Sequence, residues 1–149
     1  MVMKMENKTE YESQNPEQTF AIAKELGQQA QEGDVFCLIG DLGVGKTLFS
    51  QGFANGMGVE DYVNSPTFTI VQEYDGSDRK LYHFDVYRIE DIDEMEEIGY
   101  TEMVYGDGVC LIEWADMIEE IWPQHYTKVV ISKDLEKGFD YRKITVYNV

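Results

Sequence analysis

Apolar positions recur along this chain with two spacings, and the spacing changes where glycine or proline interrupts it. Phe20, Ala23, Leu26 and Ala30 fall on one face of a 3.6-residue period, which predicts a helix. Asn15 caps its start, Pro16 suits its first position and Gly33 stops it. "DVFCLI" (34–39) is a short apolar run and reads as a buried strand. Residues 40–45 form a glycine-rich loop, and Leu48, Phe49, Gly52, Phe53 and Met57 then predict a helix ending near Gly56 or Gly58. "SPTFTIVQEY" (65–74) enters a strand after a turn-prone start. "DGSDR" (75–79) is a hairpin turn and "KLYHFDVYR" (80–88) a second strand. Ile92, Met95 and Ile98 return to helical spacing. "GVCLIEWAD" (108–116) reads as a buried strand, and "ADMIEEIWP" as a short helix closed by Pro123. "KVVIS" and "RKITVYN" are two last strands around "KDLEKGFD". Residues 1–12 are polar and are expected to be loose. The sum is an α/β fold with a mixed sheet.

Charge narrows what such a fold can do. Asp and Glu number 29 against 12 Lys and Arg, a formal net charge of −17. Binding nucleic acid directly requires cationic surface to displace counterions from phosphates. Arg79, Arg88 and Arg142 are the three arginines, so direct, tight DNA or RNA binding is not expected. The 149 residues suit one domain, 1–149. No apolar run approaches the roughly 20 residues of a membrane span, and the first residues lack a signal peptide's apolar core; a cytoplasmic protein with no membrane contact is expected. Cys37 and Cys110 sit inside apolar runs and read as buried thiols rather than a redox pair. His83 and His125 cannot build a zinc cluster by themselves. The acids Glu90, Asp91, Asp93, Glu94, Glu96 and Glu97 read as the solvated face of a short helix in preference to a docking site.

"GDLGVGKT" (40–47) is an anion trap inside this acidic chain. Glycines at 40, 43 and 45 let the backbone around Val44 wrap a phosphate with its N–H groups. The following helix aims its positive end at the same place. Lys46 supplies a point charge for the outer phosphates, the Thr47 hydroxyl can ligate Mg²⁺, and the Leu48 N–H can reach the α-phosphate. Strand, loop and helix in this order form the P-loop setting, and the fold expected is a three-layer, P-loop NTPase-like one with a mostly parallel central sheet. Such a site needs a carboxylate at the end of a neighbouring strand. Glu113, closing "VCLIE", is assigned to the metal. Asp85, in the more alternating "YHFDVYR", is assigned to the metal's water shell or the attacking water, with a salt bridge to Arg88 or Lys80 as the alternative. Thr67 in "SPTF" is either a hydroxyl that senses the γ-phosphate or part of a plain turn. Arg88, three positions beyond Asp85 on this strand, points to the opposite face and is not placed to act on the same site.

"GDLGVGKT", "SPTF", "HFDVYR" and "IEW" occur in the order and rough spacing of the TsaE (YjeE-type) P-loop ATPases, and the chain resembles that family from about Asn15 to about Val146. The resemblance implies a small, Mg²⁺-dependent ATPase that supports N6-threonylcarbamoyladenosine formation on tRNA with the TsaD and TsaB proteins, touching tRNA only through them. It implies that Lys46 and Thr47 hold phosphate and Mg²⁺, that Glu113 completes the metal site and that Asp85 serves hydrolysis. Trp114 would lie beside the nucleotide or the partner surface, and Asn15 and Gly138 near the base. Leu48 departs from the family's frequent second hydroxyl. Rival readings are a small kinase, which would need more arginines, a GTP switch, for which "SKDL" is a poor guanine motif, and a nucleotide-gated binding module.

Overall fold

The computed structural model describes residues 2–5, 7–41, 43–66 and 69–149. Among the described residues eight strands form one sheet: β1 (Val2–Met5), β2 (Lys8–Ser13), β3 (Val35–Ile39), β4 (Val71–Asp75), β5 (Lys80–Asp85), β6 (Val109–Glu113), β7 (Thr127–Lys133) and β8 (Arg142–Asn148). Their spatial order is β1-β2-β8-β7-β3-β6-β5-β4. β7, β3, β6 and β5 are mutually parallel in the centre. The antiparallel pairings lie toward the two edges: β1, β2 and β8 beside β7, and β4 beside β5.

The central strands are apolar on both faces because both faces are covered. In β3, Phe36 and Leu38 join one core with Phe49 and Phe53, while Val35 and Cys37 join the other with Met95 and Ile118. The first core carries α1 (Pro16–Gln29) and α2 (Lys46–Gly56). The second carries α3 (Asp93–Glu97), α4 (Tyr100–Val104) and a 3-10 helix (Ala115–Ile121). The three-layer α/β expectation holds.

α1 and α2 touch backbone to backbone. A Cβ at Gly27 would lie 2.1 Å from the Phe53 carbonyl oxygen, and one at Gly56 would lie 2.0 Å from that of Lys24. Only glycine permits this approach, and it fixes the axis of the helix that follows the glycine-rich loop.

Two sequence expectations are corrected. The segment expected to be loose forms β1 and β2, because β2 pairs along its length with β8. The single helix expected around Met95 is two, broken at Gly99 in the left-handed region (φ 85°). The stretch 65–74, expected to enter a strand after a turn-prone start, reaches its strand at Val71. The acids before α3 do local work: the Glu94 carboxylate accepts the N–H groups of Glu90 and Asp91, both at 2.9 Å.

Candidate nucleotide-binding site

The parallel strands end on one side of the molecule, where α/β sheets hold ligands. β3 ends at Ile39 and passes into the glycine-rich loop. A Cβ at Gly40 would lie 2.9 Å from the Ile131 carbonyl oxygen of β7, so the loop leaves the sheet where no side chain fits. Gly43 (φ 80°) and Gly45 (φ 98°) turn the chain through the left-handed region. No side chain caps the first turn of α2, so its N–H groups, Thr47 and Leu48 among them, face the loop.

Lys46 is buried, 6 % exposed. Its Nζ donates to the carbonyls of Gly40 and of Asp41, the latter at 2.8 Å. The same nitrogen lies 3.9 Å from the Trp114 ring centre. Burial holds its pKa below the ordinary lysine value, against the pull of Glu113, Asp116, Asp41 and Asp85. The cation is folded against its own loop with four carboxylates around it.

Glu113 ends β6 and is 2 % exposed. Its Oε2 accepts from Ser50 of α2 at 3.0 Å, from Ser65 at 3.5 Å and from His83 of β5 at 2.5 Å. Ser65 also meets the Thr47 hydroxyl at 3.0 Å. Hydroxyl and carboxylate are thus linked through one serine, a hard-oxygen set of the kind Mg²⁺ takes together with nucleotide phosphates. Among the described residues no three His, Cys, Asp or Glu side chains gather to hold a metal alone.

Asp85 ends β5 opposite Glu113 in the parallel register. It is half-buried, and its Oδ1 accepts the Tyr87 N–H at 3.1 Å. Burial foremost, with the Glu113 charge adding, raises its pKa above the ordinary aspartate value. Lys80 does not pair with it: that ammonium is held by Glu73 at 2.6 Å and Asp75 at 2.9 Å. The Asp85 N–H is held at 2.8 Å by the carbonyl of Ile70, which takes a left-handed φ of 69°, unusual for a β-branched residue. Thr67 lies outside the described residues.

Trp114 also adopts a left-handed conformation (φ 60°), which turns its ring from the strand direction toward Lys46. Tyr87 packs on it with ring centres 4.5 Å apart. These groups surround a cavity of about 440 Å³ lined by Lys46, Thr47, Asp85, Arg88, Glu113 and Trp114 among others.

The presence of Arg88 corrects the expectation that it faces away. The strand ends at Asp85, a turn follows, and the alternation rule no longer applies. Asn15 spends its side chain capping α1, accepting from the Gln18 N–H at 2.9 Å. Gly138 turns the β7–β8 loop (φ 133°). Neither lines the cavity, but both segments are tied to the loop's rim. β2 ends at Ser13 beside Arg142, whose Nε donates to the Val44 carbonyl at 2.9 Å while its Nη1 donates to Phe139. Sequence reading missed Arg142, Ser50, Ser65 and His83, whose partners are distant in the chain. It also missed Lys133, whose Nζ would lie 3.7 Å from a Cβ at Gly43.

A buried lysine in a glycine loop, a hydroxyl after it and a strand-end carboxylate beside it, on a three-layer α/β sheet, define a P-loop NTPase fold. The sequence matches the family described as "Threonylcarbamoyl adenosine biosynthesis protein TsaE" over residues 13–144. It is 53 % identical over 131 residues to the tRNA threonylcarbamoyladenosine biosynthesis protein TsaE of Bacillus subtilis, covering 88 % of this chain and 80 % of that protein. To the protein of the same name from Treponema pallidum it is 41 % identical over 121 residues, 81 % and 87 % of the two chains. The crystal structure of Bacillus subtilis YdiB superposes with a TM-score of 0.81 and 43 % identity, covering 100 % of this chain and 88 % of that one. The chain belongs to the TsaE family.

Proposed function

We propose that this protein binds Mg·ATP in the glycine-rich loop, hydrolyses it slowly, and supports N6-threonylcarbamoyladenosine formation on tRNA together with TsaD and TsaB. One observation carries the reading: the Thr47 hydroxyl is joined through Ser65 to the buried carboxylate of Glu113, beside Lys46. Thr47 and Glu113 would hold Mg²⁺, which neutralises phosphate charge when bound. Lys46 moves from its own loop carbonyls to the outer phosphates. Asp85, with its proton affinity raised by burial, orients the attacking water. Arg88 lies on the same cavity and offers a cation for charge developing on the γ-phosphate.

A kinase reading is disfavoured because Arg79 is engaged by the Ala30 carbonyl and Arg142 by the loop, leaving no arginine-rich clamp. The chain's net charge of −17 leaves tRNA to the partners. Turnover is slow alone because the site opens to solvent at the exposed Thr47, and water weakens every electrostatic contribution there. A partner covering this face excludes that water. The test is phosphate release by the protein alone, with TsaD, with TsaB and with both. Stimulation by the pair is expected; full activity alone, unchanged by the pair, overturns the partner-gated mechanism.

A further inference from the structure

His83 is wholly buried in the middle of β5, 0 % exposed. Its Nδ1 is the one buried side-chain polar atom, among the described residues, that finds no hydrogen-bond partner. Its Nε2 meets Glu113 Oε2 at 2.5 Å. A core position of this kind would ordinarily hold a leucine or valine; a histidine with one nitrogen unsatisfied costs stability. Ser50 and Ser65 donate to the same oxygen, so Oε2 is an acceptor and His83 supplies Nε2–H. This tautomer, assigned from the hydrogen-bond partners, leaves Nδ1 as a bare acceptor and no buried N–H unpaired.

Strand alternation puts Leu81, His83 and Asp85 on one face of β5, and the parallel register sets His83 opposite Leu111, two residues before Glu113 on the neighbouring strand. Glu113 is thus gripped from α2 by Ser50, from the loop before β4 by Ser65 and from β5 by His83. All three described hydrogen bonds fall on Oε2. Oε1 carries none of them, and Glu113 is among the residues that line the cavity.

We propose that His83 is a positioning residue: it ties down one oxygen of Glu113 so that the other is presented to Mg²⁺. The inference rests on the assignment of Glu113 to the metal. His83 touches neither nucleotide nor metal; it acts by fixing the rotamer of a long side chain that a site with one protein carboxylate cannot leave free. Removing such a supporting hydrogen bond typically costs about 10–100-fold in metal affinity.

The test measures ATP affinity by calorimetry with Mg²⁺ and with EDTA, and takes the ratio as the metal's contribution. Wild type is compared with His83→Phe and His83→Met, which fill space without a donor, with His83→Gln, whose amide can donate to Oε2, and with Glu113→Gln. Circular dichroism and thermal melts establish folding. Both donor-free variants are expected to lose about tenfold or more of the metal's contribution while keeping ATP affinity in EDTA, and His83→Gln to restore most of it. An unchanged ratio in a folded donor-free variant, with the ratio lost in Glu113→Gln, overturns this inference alone. So does failure of His83→Gln to restore it, or failure of both donor-free variants to fold. An unchanged ratio in Glu113→Gln overturns the metal assignment itself, and this inference with it.

Discussion

Lys46→Ala separates what the lysine does for the loop from what it does for phosphate. In the structure Nζ satisfies the carbonyls of Gly40 and Asp41 and lies over Trp114. Truncation frees both carbonyls, but Gly40 is half-buried and Asp41 exposed, so water reaches them and the cost is near 1 kcal/mol. Against this, the buried cation carries a desolvation cost, visible in its lowered pKa, and that cost disappears. The two nearly offset, and the melting temperature should move by no more than about 3 °C. Binding has no such compensation. Charge-assisted hydrogen bonds to phosphate contribute about 1.5–3 kcal/mol, or roughly 10–150-fold in Kd. Calorimetry with Mg·ATP reads the second quantity and a thermal melt the first. A folded variant whose Kd stays within about threefold of wild type would reduce Lys46 to a strut for its own loop.

Asp85→Asn should gain stability while losing turnover. Burial raises the folded pKa above the ordinary 3.8, so the folded chain holds this proton more tightly than the unfolded one. That contribution is present below the ordinary value and is lost as pH rises through the raised one. The variant's melting temperature should therefore match wild type at about pH 3 and exceed it by a degree or two near pH 7. An advantage confined to acid pH would reverse the sign and sink the argument. Gly56→Ala would ordinarily stabilise a helix by about 1 kcal/mol. Here its methyl meets the Lys24 carbonyl at 2.0 Å, so overpacking of about 1–3 kcal/mol should lower the melting temperature; a rise would mean that α1 and α2 separate freely.

The parts of the fold that sequence made legible are those whose causes are local. Asn15 caps α1 because its side chain reaches three residues ahead, and β3 reads as a central strand because both its faces are apolar. Glu113 was found because a carboxylate ending an apolar run stands out. β2 was missed because "KTEYES" has no apolar period; its strand character comes from a ladder with β8 more than a hundred residues away. Arg88 was misplaced because alternation was carried past Asp85, where the strand stops. His83 passed as an unremarkable strand residue, since its partner lies 30 positions away. Gly99 drew no separate reading from the sequence, and its left-handed turn is the joint between two helices.

Asp85 and Glu113 stand as facing rungs at the ends of adjacent parallel strands. Their separation is set by the strand spacing of about 4.8 Å, not by any side chain. The sheet serves as a jig. Sliding β5 by one residue would turn Phe84 and Leu81 to the wrong layers along with Asp85, so the chain would lose its two cores before it acquired a differently spaced site. Lengthening one arm, Asp to Glu, or shortening the other, Glu to Asp, is the adjustment left on the strands. Diversity in what such a protein binds or answers to must then be written in the segments off the sheet, after β3, before β4, after β5 and between β7 and β8, where length and sequence can vary without moving the posts.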